Sequence, residues 1–186
     1  YTASDGAFQS SATVRMSVCY VDGTYWFPFN EVSGLVTKEA GRFAIAQLQG
    51  FSNDPNQWVA GRFNRALSFD GTNDFVIVPG FNGITGVAAR TCAAWIKTAT
   101  ANNLPVISWG TNTAGSKWTL MLQSGMARLE VTGGWVQGSR LLNDGQWHHI
   151  ACTFTNDGTP DATDVKLYVD GTLETPLSSQ APQSSN

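Results

Sequence analysis

The chain has 186 residues, of which 42% are hydrophobic and only 13% are charged. A disordered chain shows the opposite balance. Lys and Arg number 11 against 14 Asp and Glu, a formal net charge of -3. With no basic run present, the sequence argues against a nucleic-acid surface, and no apolar stretch approaches the roughly 20 residues of a membrane-spanning helix. The length fits one domain, or one domain with a short appendage.

The 19 Gly and 7 Pro, with many Ser, Thr and Asn, predict short strands joined by turns. Helix-forming Lys, Glu and Leu are scarce. Residues 1–18 read as a turn and a strand, because Ala12, Val14, Met16 and Val18 alternate with Thr13, Arg15 and Ser17. Strand signals then recur every 8–12 residues or so, the spacing of a sandwich or barrel. The predicted strands are Thr24–Phe29, Ala66–Phe69, Phe75–Val78, Thr91–Lys97, Val106–Trp109, Trp118–Leu122, Ala127–Val131, His148–Phe154 and Val165–Val169. A short helical turn near Phe43–Leu48 is the one departure from strand. Asp-Gly follows an apolar residue at Asp22-Gly23, Asp70-Gly71 and Asp170-Gly171, and this pair supplies the positive φ that tight hairpins need. Asn143-Asp144-Gly145 and Asn156-Asp157-Gly158 are turns of the same kind.

Three cysteines, Cys19, Cys92 and Cys152, show no metal-ligand spacing. Cys92 and Cys152 fall within predicted strands and read as buried free thiols, with a bridge between them as the alternative. The chain starts at Tyr1 without Met or signal peptide and ends in the polar Ser178–Asn186 segment. Both ends read as cuts through a longer polypeptide.

Four segments, in order, carry a resemblance: residues 61–76 (Gly-Arg-Phe-Asn-Arg-Ala-Leu-Ser-Phe-Asp-Gly-Thr-Asn-Asp-Phe-Val), 92–97 (Cys-Ala-Ala-Trp-Ile-Lys), 144–151 (Asp-Gly-Gln-Trp-His-His-Ile-Ala) and 165–171 (Val-Lys-Leu-Tyr-Val-Asp-Gly). Together they resemble laminin-G-like, concanavalin A-like domains, with Asn30 where the family's opening strand usually has Asp. The resemblance implies an all-β, two-sheet antiparallel jelly roll over residues 19–186. It also implies further closing strands after Gly171, which the short remainder up to Asn186 leaves out. A second polypeptide, or the remainder of a cleaved parent chain, is therefore expected to complete the sheet. Residues 1–18 resemble the last strand of a bacterial cadherin-like or immunoglobulin-like module; the alternative is an extra strand of the main domain. Trp95 and Trp147 are expected in the core, as is Trp118, and Trp58 is expected to pack under a loop.

Hydrolases of this fold need two carboxylates about 5–5.5 Å apart for retention. No Glu-x-Asp or Glu-x-Glu pair lies on a predicted strand, and Glu130 stands alone. His148 and His149 are adjacent and face opposite sides of a strand. One is expected to be packed and the other at the surface. The expectation is a non-catalytic module. Calcium is the candidate cofactor, because Asp70, Asn73 and Asp74 crowd one loop and pentraxin-like relatives place calcium ligands near the latter two. The acidic loop Asp157–Asp164 is the weaker calcium candidate. Trp109 and Trp135, at strand ends, are the candidate ligand contacts, with Asn112 and Arg140 as polar companions. The ligand class expected is a glycan or an extracellular protein, bound through loops of the sandwich. The setting expected is extracellular or at the cell surface, within a multi-module bacterial protein. A structural or adhesin spacer is the alternative.

Overall fold

The computed structural model describes residues 2–4, 10–13, 18–20, 23–40, 44–113, 116–158 and 161–180; for residues 2–24 and 180 only the backbone is described. Its strands in chain order are β1 (Thr2–Ser4), β2 (Ser10–Thr13), β3 (Val18–Tyr20), β4 (Gly23–Tyr25), β5 (Val36–Lys38), β6 (Ile45–Gln49), β7 (Trp58–Ala60), β8 (Arg65–Phe69) and β9 (Phe75–Ile77). They continue as β10 (Arg90–Lys97), β11 (Leu104–Trp109), β12 (Trp118–Gln123), β13 (Met126–Val131), β14 (Gly134–Leu141), β15 (Trp147–Phe154), β16 (Val165–Val169), β17 (Thr172–Leu173) and β18 (Ser178–Gln180). One sheet has nine strands in the order β18-β14-β13-β12-β11-β1-β9-β6-β5. The other has seven, β17-β16-β15-β10-β2-β8-β7, and β3 and β4 form a small separate ribbon. Every pairing is antiparallel, as in β10–β15 and β12–β13. The result is the expected all-β sandwich.

Alternation builds the core. On β10, Cys92, Ala94 and Ile96 point inward, and on β15 so do Ile150, Cys152 and Phe154. The expected helical turn near Phe43–Leu48 is corrected: Ile45–Gln49 is a strand, with Ala46 and Leu48 buried and Ile45 51% exposed. That is a period of two, which a helix cannot present. Phe43 lies outside the described residues. The strand predicted over Thr24–Phe29 ends at Tyr25, yet Phe27 and Phe29 are still buried from the irregular segment beyond it. Strands β1, β5, β7, β14, β17 and β18 lie outside the segments in which the sequence predicts strand.

Within residues 1–18, β1 lies between β9 and β11 in one sheet, while β2 lies between β8 and β10 in the other. Residues 14–17, the middle of the predicted alternation, fall outside the described residues. After β16, the hairpin at Asp170-Gly171 has positive φ at both residues, 50° and 79°, the geometry foreseen for Asp-Gly. The chain then returns to the nine-stranded sheet, where β18 pairs with β14 at its edge.

Five aromatic rings form a chain through the interior. Tyr25 packs on Phe81, Phe81 on Trp109, Trp109 on Trp118 and Trp118 on Phe154. Arg90 enters this chain although only 2% of it is exposed. Its guanidinium lies 4.7 Å from the Trp118 ring centre and 4.8 Å from that of Phe154.

Candidate functional site

Residues of the nine-stranded sheet that face away from the core line up across the strands. One row runs Ser108, Thr119, Glu130 and Trp135; the next runs Pro105, Met121, Arg128 and Gln137. Their neighbours Leu120, Leu129 and Val136 point the other way, into the core. The hairpin between β13 and β14 turns over Thr132-Gly133 and sets Glu130 directly opposite Trp135.

Glu130 holds the centre of this face. One oxygen contacts the Lys117 ammonium, and the other lies 2.8 Å from Arg128 Nη2. Burial pushes the Glu130 pKa up, but the hydrogen bonds and charges of Lys117 and Arg128 outweigh it and the net shift is downward. Glu130 is therefore an ionised acceptor rather than a proton donor. The Arg128 guanidinium lies 4.4 Å from the Trp135 ring centre. Its Nη1 donates to Gln137 Oε1 at 3.4 Å, and its buried Nε has no partner. A half-buried indole beside fixed donors and acceptors is the arrangement that recognises a ring bearing hydroxyl groups. Among the described strand residues that face outward on this sheet, Glu130 is the single carboxylate.

The four sequence-predicted contacts are not brought together. Trp109 is corrected to the core: it is 6% exposed, stacks on Trp118 at 5.7 Å and donates its indole N–H to Ile84 O. A register shift on β11 between Pro105 and Ile107 reverses the alternation and turns Trp109 inward. Trp135 stays on the outer face. Asn112 is exposed in the loop after β11. Arg140 turns toward the other sheet, with Nη1 3.7 Å from Asp170 and Nη2 3.4 Å from Glu174.

Trp95 and Trp147 are also corrected. Both are half-buried on the outer face of the seven-stranded sheet, because Ala94 and Ile96 take the inward positions of β10 and Ile150 those of β15. Trp118 is fully buried as expected. Trp58 is 3% exposed and donates to Gly34 O. Cys92 and Cys152 sit directly opposite each other in the β10–β15 register as buried free thiols.

In the Asp70–Asp74 loop both acids serve the turn. Asp70 Oδ1 accepts from Thr72 N and Asn73 N, and Asp74 Oδ2 accepts from Asp70 N at 2.8 Å. Burial above all pushes the Asp74 pKa up. Calcium takes six to eight oxygens, so these residues alone do not complete a calcium site. In the second acidic loop, Asp161 and Asp164 cap the 3-10 turn Ala162–Asp164. Among the described residues no group of three or more His, Cys, Asp or Glu is assembled for a metal.

One histidine does join a cluster that sequence reading missed. His148 Nδ1 lies 2.9 Å from Asp170 Oδ2 and Nε2 lies 3.2 Å from Asp144 Oδ1. Burial pulls the His148 pKa down, but the two carboxylates outweigh it and the net shift is upward. Asp144 is shifted down, first by the Gln146 N–H, and Asp170 is shifted down by His148 and the His149 N–H against its burial. A raised histidine pKa stabilises the fold fully below about pH 6.5, and that contribution is lost as pH rises through the raised value. The lowered carboxylates contribute above about pH 3.8 and lose their contribution as pH falls further. Thermal melts should therefore show wild-type Tm declining from about pH 6 to 8 relative to His148→Gln. Parallel pH profiles for the two proteins would show that the cluster does not stabilise the fold.

A family model described as the concanavalin A-like lectin/glucanases superfamily matches residues 70–185. No curated protein and no solved structure matches the chain.

Proposed function

The chain belongs to the concanavalin A-like lectin/glucanase superfamily, and from that premise we propose that it is a non-catalytic recognition module that binds a carbohydrate chain across the outer face of its nine-stranded sheet. The observation that carries this reading is the Trp135 indole held beside Arg128, Glu130 and Gln137. A pyranose ring stacks on the indole while its hydroxyls reach Glu130 and the Arg128 guanidinium. The non-catalytic reading is supported by chemistry: among the described outward strand residues of that sheet Glu130 is the single carboxylate, and two cations hold it ionised. Neither glycosidase geometry can be built from one carboxylate. The reading includes an extracellular or cell-surface setting in a larger, multi-module protein.

A glycan-array screen, run with calcium and again with chelator, tests the proposal. Hits are expected in both conditions. Trp135→Ala should weaken them about tenfold, the equivalent of about 1.4 kcal/mol, with Tm nearly unchanged. Hits lost only in chelator would instead point to the Asp70–Asp74 loop and to calcium. No hits from folded protein in either condition would favour the spacer reading.

A further inference from the structure

The seven-stranded sheet carries a second aromatic cluster on its outer face. Trp95 and His149 are cross-strand partners, with ring centres 5.3 Å apart. Phe63, from the loop before β8, meets the Trp95 ring edge-on at 5.6 Å and is 50% exposed. The exposed Arg62 guanidinium lies over both rings, 5.0 Å from the centre of Phe63 and 5.4 Å from that of Trp95. Among the described residues no side chain or carbonyl accepts a hydrogen bond from Arg62.

Within the strands the charge on this face is positive, with Asp70 and Asp170 lying just past the ends of β8 and β16. Lys97 lies two residues beyond Trp95 on the same face of β10, directly across from Trp147. Lys166 faces outward on β16. The outward positions of β8, β10, β15 and β16 carry these two lysines and no carboxylate. This is a local excess of positive charge on a chain whose formal net charge is -3.

We propose that this face is a second binding site, which takes a polysaccharide bearing carboxylate groups. A guanidinium laid on aromatic rings has lost much of its freedom before a ligand arrives, and its N–H edges form a fork matched to a carboxylate. Lys97 supplies a second cation about 7 Å further along the strand. The exposed Phe63 ring offers an apolar surface for the sugar ring itself. The site is independent of the one around Trp135, because the two lie on opposite outer faces of the sandwich.

The test uses polygalacturonate and its methyl-esterified form, which keeps the sugar ring and removes the charge. Wild-type protein should bind polygalacturonate in 50 mM salt and bind the ester at least about tenfold more weakly. Arg62→Gln should lose about tenfold with unchanged Tm, because Arg62 is exposed, and Phe63→Ala should lose several-fold. Failure of the wild type to bind, or binding untouched by Arg62→Gln, would overturn the proposal. Equal binding of polyglutamate would also overturn it, since the face would then select charge without the sugar.

Discussion

Replacing Trp109 with alanine should lower stability by about 3–5 kcal/mol, and it should do so without removing a ligand contact. The indole is buried between Phe81 and Trp118, and its N–H is committed to Ile84 O. Alanine would leave a cavity between the sheets and remove one of the two donors to Ile84 O, the other being Arg90 Nη1. For a domain of this size the loss corresponds to a Tm drop of roughly 6–20 °C. Gly83 provides an independent check on the same packing. A Cβ at Gly83 would come 2.1 Å from Trp109 Cδ1, and its φ of +86° already disfavours any side chain. Gly83→Ala should therefore destabilise through the same ring. Urea melts of both variants, beside Trp135→Ala, make the comparison. If Trp109→Ala kept wild-type stability and lost glycan binding, the ring would belong to a ligand site and the core assignment would fail.

Arg90→Ala should cost a similar amount, about 3–5 kcal/mol. The Arg90 guanidinium donates to Ile84 O at 2.7 Å, to Ala88 O at 3.1 Å and to Gly86 O. It thereby pins the loop that also accepts the Trp109 N–H. Burial drives its pKa down to about 10, so it still carries its charge at neutral pH. Removing it opens a void between Trp118 and Phe154, takes the Arg90 donor from the Gly86 and Ala88 carbonyls, and leaves Ile84 O only the Trp109 N–H. Arg90→Lys keeps the charge but not the planar fork, and should still lose more than about 1 kcal/mol. Urea denaturation at pH 7 measures both. Near-wild-type stability in Arg90→Ala would show that the loop is held by other contacts.

These two residues also show what could and could not be read from the sequence. The sandwich was legible because strand periodicity and turn residues recur along the chain, and the Asp170-Gly171 hairpin formed as its residues require. Arg90 was legible in principle. It shares the parity of Cys92, Ala94 and Ile96, so a charged side chain at the head of that inward row must be buried or cap its end. The same parity turns Trp95 outward, and ring size was the wrong guide there. Trp109 was not legible in this way. Counting by twos from the buried Leu104 turns Trp109 outward, and only the irregularity after Pro105 restores it to the core. For Trp135, Arg128 and Glu130, alternation gives the face, but the pairing needs the position of the Thr132-Gly133 turn, and the Gly-rich β14 carries no strand signal of its own. The Asp144–His148–Asp170 cluster joins residues from three separate turns and strands. No local spacing announces it.

The position of β1 and β2 has a consequence for the order in which the molecule is assembled. Strands β1 and β2 occupy interior places in the two sheets, and partners of both lie far along the sequence: Thr2 pairs with Ser108, and Thr13 with Trp95. Closing loops of that length has an entropic cost that neighbouring hairpins escape. The hairpins from β11 to β14 can zip locally, while each sheet keeps a gap until β1 or β2 joins it. Folding is then limited by a search rather than by local strand formation. Refolding should be slow for a domain of this size, and the half-built sheets would be the species most exposed to pairing with other chains.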